Sequence, residues 1–184
     1  MQTFLIEYAD KLKGFNSTTK YRKELYFLEY ILNPNKGDVI LDYGCGIGTA
    51  VYYFRLMEYD VWGYDRFNYV SRKHIRNEYN FKFNKVYFMH SLAHIEDLET
   101  KLDKLKWLLQ PGAEITVITP NLDWLKAKGA KNYKPDTTVI QHFDMNSLKK
   151  VFTDNGFSLI LCGQFGENIN GFNERLFIKV KYES

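Results

Sequence analysis

The residues best suited to chemistry lie between Asp42 and Asp65. Asp42 ends an apolar run, alternate glycines follow at Gly44, Gly46 and Gly48, and Asp65 ends a second apolar run. A turn with glycine at alternate positions lets a ligand lie against bare backbone, where a Cβ atom would collide with it. An acid about 20 residues further on, at the end of the next strand, is where ribose hydroxyls require an acceptor. The stretch therefore indicates a ligand of the nucleoside type.

The glycine spacing separates two classes of ligand. Dinucleotide-binding turns have the pattern G-x-G-x-x-G, which places a pyrophosphate at a helix N-terminus. Here the pattern is G-x-G-x-G, and Thr49 stands where the third glycine of that fingerprint would fall. The charge of Asp42, just before the turn, would repel a pyrophosphate and could attract a cation or an amino group. The turn therefore favours a positively charged ligand over a dinucleotide.

Apolar periodicity and turn residues locate the elements that must position this stretch. Strands are predicted at Asp38–Tyr43, Asp60–Tyr64, Lys85–His90, Glu114–Thr119, Phe157–Phe165 and Glu174–Tyr182. Helices are predicted from Tyr21 to Leu32, at Thr49–Met57, through Leu98 and Leu109 up to Pro111-Gly112, and at Met145–Asn155 behind the N-cap Asp144. Alternating strands and helices followed by a hairpin predict an α/β fold, with a mostly parallel sheet closed by an antiparallel pair.

Several motifs in this order resemble the class I S-adenosylmethionine-dependent methyltransferases. D-Y-G-C-G-I-G at 42–48 is similar to their first motif, L-Q-P-G-A at 109–113 and T-P-N at 119–121 to their L-x-P-G-G and T-P-N segments, and 142–157 to a late helix of small-molecule members. The resemblance runs from about residue 20 to the end and implies a Rossmann-like three-layer sandwich. It implies one domain over 1–184, with a helical arm or lid at 1–36 and the core at 37–184.

The cofactor that this resemblance implies is S-adenosyl-L-methionine. It carries a sulfonium and an α-amino group but no phosphate, in agreement with the electrostatics of the turn. In this reading Asp65 binds the ribose, the glycines allow close backbone approach, and Asp42 orients the turn and the amino-acid end. The implied cofactor-binding residues are Asp42, Gly44, Cys45, Gly46, Gly48, Asp65, Arg66, Phe67 and Met89.

Methyl transfer from a sulfonium requires a positioned nucleophile and, for a hydroxyl or ammonium acceptor, the removal of a proton. Histidine is the side chain suited to this near neutral pH. The catalytic candidates, in order, are His90 directly after a strand, His142 before the late helix, and His94; a structural role is the alternative for each. His74 is interpreted as a surface residue. The glutamate that helps some relatives bind a metal is Ala93 here, so no metal is predicted.

The segment after Asp65 departs from the family pattern. Only 24 positions separate Asp65 from Met89, and a crossover helix alone uses a dozen or more residues. The third strand of the family is therefore predicted to be absent, or to be a stub near Asn80–Phe83. Because that strand normally brings the loop that contacts the adenine, and no G-D-A-x-x-L segment occurs, adenine recognition is expected to fall to Arg66 and Phe67.

Composition limits the partners. With 184 residues, 45% hydrophobic, 26% charged and a net charge of +3 without a dense basic block, the chain shows no sign of binding nucleic acid or a membrane surface. His90-Ser91-Leu92-Ala93 replaces the D/N-P-P-Y/F motif that grips a flipped base. The start does not read as a signal peptide, and no apolar run has the length of a membrane span, so a cytoplasmic location is expected.

The sequence therefore predicts a monomeric or homodimeric methyltransferase that acts on an oxygen or nitrogen atom of a small molecule. One alternative is a non-catalytic cofactor-binding or scaffold protein of the same fold, which the shortened segment after Asp65 supports. Another is a dinucleotide-dependent enzyme.

Overall fold

The computed structural model describes residues 18–66, 74–129 and 138–183. The chain divides into two compact units, residues 1–33 and 34–184. In the first unit, helix α1 spans Thr18–Leu32, and the Asn33 amide donates to the carbonyl of Glu29 at 2.9 Å. Asn33 is left-handed with φ 47°, a conformation that asparagine tolerates. Because Pro34 disfavours helical backbone at the residue before it, the helix ends here.

The second unit is built on one six-stranded sheet. Its strands are β1 (Val39–Tyr43), β2 (Asp60–Tyr64), β3 (Phe83–Met89), β4 (Leu109–Pro120), β5 (Phe157–Ile169) and β6 (Phe172–Tyr182), in the order β2-β1-β3-β4-β6-β5. The first four strands of that order are parallel, and β6 is antiparallel to both β4 and β5. The predicted Rossmann-like arrangement with a C-terminal antiparallel pair is therefore confirmed.

Helices pack on both faces of this sheet. They are α2 (Thr49–Leu56), α3 (Leu98–Lys106), α4 (Leu122–Lys128) and α5 (Met145–Thr153), with a 3-10 turn at Leu92–His94. Successive strand residues point to opposite faces. Tyr87 contacts Phe54 of α2 with ring centroids 5.6 Å apart, whereas Phe88 belongs to the buried core formed with Leu102 of α3 and Phe152 of α5. The result is three layers.

The predicted helix through Leu109 is wrong at its end. Helix α3 ends at Lys106, and Leu109 already pairs with Phe83 as the first residue of β4. The next pair joins Lys85 to Glu114, so β4 carries extra residues here, including Pro111 and Gly112. The register shift accommodates both residues, because Pro111 has no amide hydrogen for a ladder bond and Gly112 has a φ of 75°.

The third strand is a stub, but it does not lie where the sequence predicted it. Ile75 forms a parallel bridge to Gly63, whose amide donates to the His74 carbonyl at 2.8 Å and whose carbonyl accepts from Arg76 at 3.0 Å. The predicted location near Asn80–Phe83 is wrong because Phe83 opens β3. Within residues 74–82, which the structure describes, the bridge at Ile75 is the part of a third strand that pairs with β2, so a shortened strand is confirmed there.

An aromatic cluster packs around the outer strand beside this stub. The ring centroid of Trp62 lies 5.4 Å from that of His74 and 5.2 Å from that of Phe81. The ring centroid of Tyr79 lies 5.1 Å from that of Phe83, and all three pairs of rings meet edge to face. The Tyr79 hydroxyl also bonds the carbonyl of Gly63. His74, predicted to lie at the surface, is instead half-buried in this cluster. Large flat side chains thus pack together against β2 and the stub in the part of the chain that the structure describes.

Candidate active site

A cavity of about 590 Å³ opens at the carboxyl ends of β1, β2 and β3. This is the edge of an open parallel sheet at which ligands are expected. Tyr43, Gly44, Tyr64, Asp65, Arg66 and Met89 line it at the strand ends, and His90, Ser91, His94, Ile95, Glu96, Lys101 and Thr138 line it on the connecting segments. Its size is that of a small-molecule site.

The glycine turn is fixed to the neighbouring strand by three backbone amides. Those of Gly44 and Cys45 donate to the carbonyl of Tyr64 at 2.7 and 3.0 Å. That of Gly46 donates to Oδ2 of Asp65 at 2.8 Å. The turn and the acid predicted to bind a ribose therefore form one hydrogen-bonded unit.

The glycines of this turn are required for different reasons. At Gly44, which lines the cavity, an added Cβ would overlap the side chain of Ser91. At Gly48, with φ 81°, an added Cβ would lie 2.5 Å from Cδ1 of Ile75. Space around Gly46 is open within the described residues. The predicted reason for all three glycines was close approach by a ligand. Gly44 does line the cavity, but Gly44 and Gly48 also give room to the chain's own Ser91 and Ile75.

Asp42 lies beneath the turn rather than in the cavity wall. It is only 3% exposed, and burial raises the pKa of its carboxyl to about 8; a hydrogen bond with Tyr87 opposes this rise and the charge of Asp65 adds to it. A largely protonated Asp42 cannot supply the electrostatic selection expected from the sequence. Among the described residues, Asp65 and Glu96 are the acidic residues that do line the cavity.

Cys45 also turns away from the cavity. Its Sγ lies against Gly63 of β2, where any Cβ on Gly63 would be 2.7 Å from it. Burial raises the pKa of this thiol, and the charges of Asp42 and Asp65 add to the effect. Cys45 therefore packs the turn onto β2.

The cavity wall includes two tyrosines, Tyr43 and Tyr64, that were not among the predicted site residues. Tyr43 and Tyr64 are paired at the ends of β1 and β2, with ring centroids 4.7 Å apart, and Phe88 lies 5.0 Å from Tyr43. Burial raises the pKa of the Tyr43 hydroxyl, and the neighbouring Tyr64 raises it further. Tyr43 ends β1 directly before the glycine turn, and Tyr64 ends β2 directly before Asp65. These positions in the sequence could have indicated that both side chains reach the cavity.

His94 is held by the segment that contains Thr138. Its Nδ1 lies 2.9 Å from the Thr138 carbonyl oxygen and 2.9 Å from Thr138 Oγ1. A carbonyl oxygen only accepts, so its contact with Nδ1 is a hydrogen bond in the tautomer that has the proton on Nδ1, and in that tautomer Nε2 carries the lone pair. The contacts with Thr138 thus orient this ring at the cavity wall.

His90 lines the same cavity in a strained conformation. Directly after β3 its φ is 60°, and its amide donates to the Ile118 carbonyl at 2.8 Å. Left-handed backbone in a residue other than glycine is uncommon and is often found at functional sites. His142, by contrast, is exposed and does not line the cavity.

Of the remaining residues predicted to bind the cofactor, two line the cavity and one is not described. Met89 and Arg66 line the cavity, and an Arg66 guanidinium nitrogen lies 3.7 Å from a carboxylate oxygen of Glu96. Phe67 lies outside the described residues.

Within 18–66, 74–129 and 138–183, no group of three His, Cys, Asp or Glu side chains is arranged as metal ligands would be. No helix in those ranges is long and apolar enough to cross a membrane.

These features fit a nucleoside that carries a sulfonium. Asp65 offers carboxylate oxygens at the end of β2, the Gly44 backbone is accessible, and Tyr43 and Tyr64 provide an aromatic wall. A pyrophosphate would meet a carboxylate at a turn without a basic residue, which disfavours a dinucleotide.

Comparison with known proteins agrees with this geometry. A family model described as a methyltransferase domain matches residues 15–161. No protein with a curated description matches the chain.

Among solved structures, a chain of the complex between the Trm112 methyltransferase activator and a methyltransferase from Haloferax volcanii is similar, with TM-score 0.72 and 12% identity over 97% of this chain and 95% of that chain. A methyltransferase from Methanosarcina mazei has TM-score 0.63 and 18% identity, over 84% and 97%. Magnesium protoporphyrin IX methyltransferase from Synechocystis PCC 6803, solved with bound S-adenosylhomocysteine, has TM-score 0.61 and 17% identity, over 88% and 81%. At these identities the likeness shows the fold.

Proposed function

The chain belongs to the methyltransferase-domain family, and from this premise we propose that it transfers a methyl group to an oxygen or nitrogen atom of a small molecule. Its cofactor is S-adenosylmethionine. One observation carries the proposal: a single cavity is lined both by the glycine turn with Asp65 and by His94, whose ring is oriented by Thr138.

The cavity residues serve two ligands, the cofactor and the methyl acceptor, and the following ones contact the cofactor. Asp65 accepts hydrogen bonds from the ribose hydroxyls, Gly44 allows contact with bare backbone, and Arg66 and Met89 complete the wall on the nucleoside side. When bound, S-adenosylmethionine supplies an electrophilic methyl group on a positively charged sulfur. No second cofactor is needed for the chemistry of that group.

His94 acts as the general base. Because Thr138 accepts the Nδ1 proton, Nε2 can accept a proton from a hydroxyl or ammonium group of the acceptor. A positioned base of this kind contributes about 10²–10⁴-fold to rate. We choose His94 because the contact with Thr138 defines the orientation of its ring at the cavity wall. We leave out His142 because it is exposed and does not line the cavity.

A second candidate is a non-catalytic cofactor-binding or scaffold protein. Within residues 74–82, only Ile75 pairs with β2, so the third strand that helps to hold the adenine in this fold is reduced to one bridge. This reading predicts cofactor binding without turnover.

Titration calorimetry with S-adenosylhomocysteine tests cofactor binding, and production of S-adenosylhomocysteine across a panel of hydroxyl and amine acceptors tests turnover. We expect binding, and turnover that falls about 10²–10⁴-fold in His94→Ala with binding unchanged; His142→Ala is the matched control. A folded protein that does not bind at millimolar ligand would contradict the proposal. Binding with no turnover of any acceptor would support the scaffold.

We also propose that the chain acts as a monomer or homodimer. The Haloferax volcanii neighbour was solved with an activator protein. Light scattering of the purified chain, combined with the turnover assay, tests this, and activity that requires an added protein would contradict it.

A further inference from the structure

We infer that the methyl acceptor is a carboxylic acid whose carboxylate pairs with Lys101, an inference that rests on the proposed methyl transfer. Four charged side chains line the cavity: Asp65, Arg66, Glu96 and Lys101. Two of them face each other, because Arg66 lies 3.7 Å from Glu96. Asp65 is bonded to the Gly46 amide and belongs to the ribose side.

Lys101 is the remaining charged side chain of the cavity wall. Among the described residues no carboxylate lies within ion-pair distance of its ammonium. The side chain is half-buried, so it has lost part of its hydration without gaining a counter-ion. An anionic ligand in the cavity would restore that interaction.

The backbone gives Lys101 a fixed position. It lies in the first half of α3, and its amide donates to the Asp97 carbonyl at 3.1 Å. Leu98, Leu102 and Leu105 of the same helix are buried in the core, so the helix cannot turn about its axis without exposing them. The backbone position of Lys101 is therefore fixed, and its side chain reaches the cavity wall from there.

Lys101 and His94 line the same cavity and have complementary tasks. The lysine would hold the acid group, and Nε2 of His94 would receive the proton of the nucleophile. One ammonium suits a carboxylate of single charge, whereas a phosphate is typically met by the paired donors of arginine, and Arg66 already faces Glu96. The favoured class is thus a small hydroxy or amino acid.

The test compares acids with their own primary amides, which keep the shape and lose the charge. The probes are the three hydroxybenzoates, three aliphatic hydroxy acids and three amino acids, each assayed beside its amide. We expect kcat/KM for the best acid to exceed that of its amide by about ten- to a hundredfold. Lys101→Met should raise KM for the acid by a similar factor and leave KM for the amide unchanged.

Lys104→Met is the control, because Lys104 is exposed on the same helix and does not line the cavity. Lys101→Arg, which keeps the charge, should retain the preference for the acid. Calorimetry with S-adenosylhomocysteine should give the same affinity for wild type and every variant.

The outcomes separate the two proposals. If S-adenosylhomocysteine does not bind the folded protein, the methyltransferase function itself fails. If it binds, but no acid is methylated, or amides react as well as acids, or Lys101→Met leaves KM for the acid unchanged, the inference about Lys101 is overturned and the cofactor site stands.

Discussion

The amide nitrogen of Gly46 lies 2.8 Å from Oδ2 of Asp65. This bond joins the loop after β1 to the residue after β2, at the edge where Tyr43 and Tyr64 are paired. The carboxylate therefore shapes the glycine turn in addition to the role proposed for it on the ribose. A substitution at Asp65 affects the turn and the ligand together, and the variants must separate these effects.

We expect Asp65→Ala to weaken S-adenosylhomocysteine binding by about ten- to a hundredfold, since it removes hydrogen bonds to a charged group. Asp65→Asn keeps an oxygen for the Gly46 amide but loses the charge, so its affinity should fall between that of alanine and wild type. Asp60→Ala is the matched control at the other end of β2, where Asp60 pairs with Arg55 at 3.1 Å. Calorimetry measures all three. Equal affinity for wild type and Asp65→Ala would remove the ribose role.

The buried Asp42 gives a prediction for pH. Its pKa is raised from 3.8 to about 8, chiefly by burial. Between these values the unfolded chain has released the proton and the folded chain has kept it, so the free energy of unfolding falls as pH rises and levels off above about pH 8. Asp42→Asn removes this titration while keeping an oxygen for Tyr87.

The variant should therefore become more stable relative to wild type as pH rises from about 4 to 8, by on the order of a few kcal/mol in total. Urea unfolding at several pH values measures the difference. A difference that stays constant with pH would show that Asp42 is ionised in the folded protein.

Much of the fold could be predicted because strand periodicity, the Asp144 cap and the Gly156 stop are local signals. The cap is present as a reciprocal pair between Asp144 and Ser147, and Gly156 has φ 78°. The end of α3 was mispredicted because Leu109 continues the helical apolar spacing, and only its pairing with Phe83 shows that it belongs to a strand.

The site was predicted less completely, because its chemistry depends on burial. The sequence shows the carboxyl of Asp42 but not the desolvation that raises its pKa. It shows four histidines but not that Thr138, 44 residues further along the chain, orients the ring of His94. Tyr43, Tyr64 and Lys101 reach the cavity through strand register and helix packing, which bring together residues far apart in the chain.

Gly48 and Ile75 should be coupled. Gly48→Ala places a Cβ 2.5 Å from Cδ1 of Ile75 and puts alanine at φ 81°, so we expect a loss of roughly 2–3 kcal/mol in the free energy of unfolding. Ile75→Ala removes the overlapping atom but not the backbone strain. In the double variant the effect of Gly48→Ala should shrink by about 1 kcal/mol. A double-mutant cycle by urea unfolding measures this coupling, and strict additivity would contradict the contact.

The aromatic cluster around the stub should carry a large share of local stability. Trp62 contacts His74, Tyr79 and Phe81, and the Arg76 guanidinium lies 5.0 Å from its ring. Trp62→Ala should cost about 3 kcal/mol in the free energy of unfolding, because it leaves a cavity among the rings that pack around Trp62. Trp107→Ala, at a tryptophan that is 81% exposed, should change it by less than about 0.5 kcal/mol. Urea unfolding of both variants provides the comparison, and similar losses for the two would show that the cluster contributes no more stability than an exposed ring.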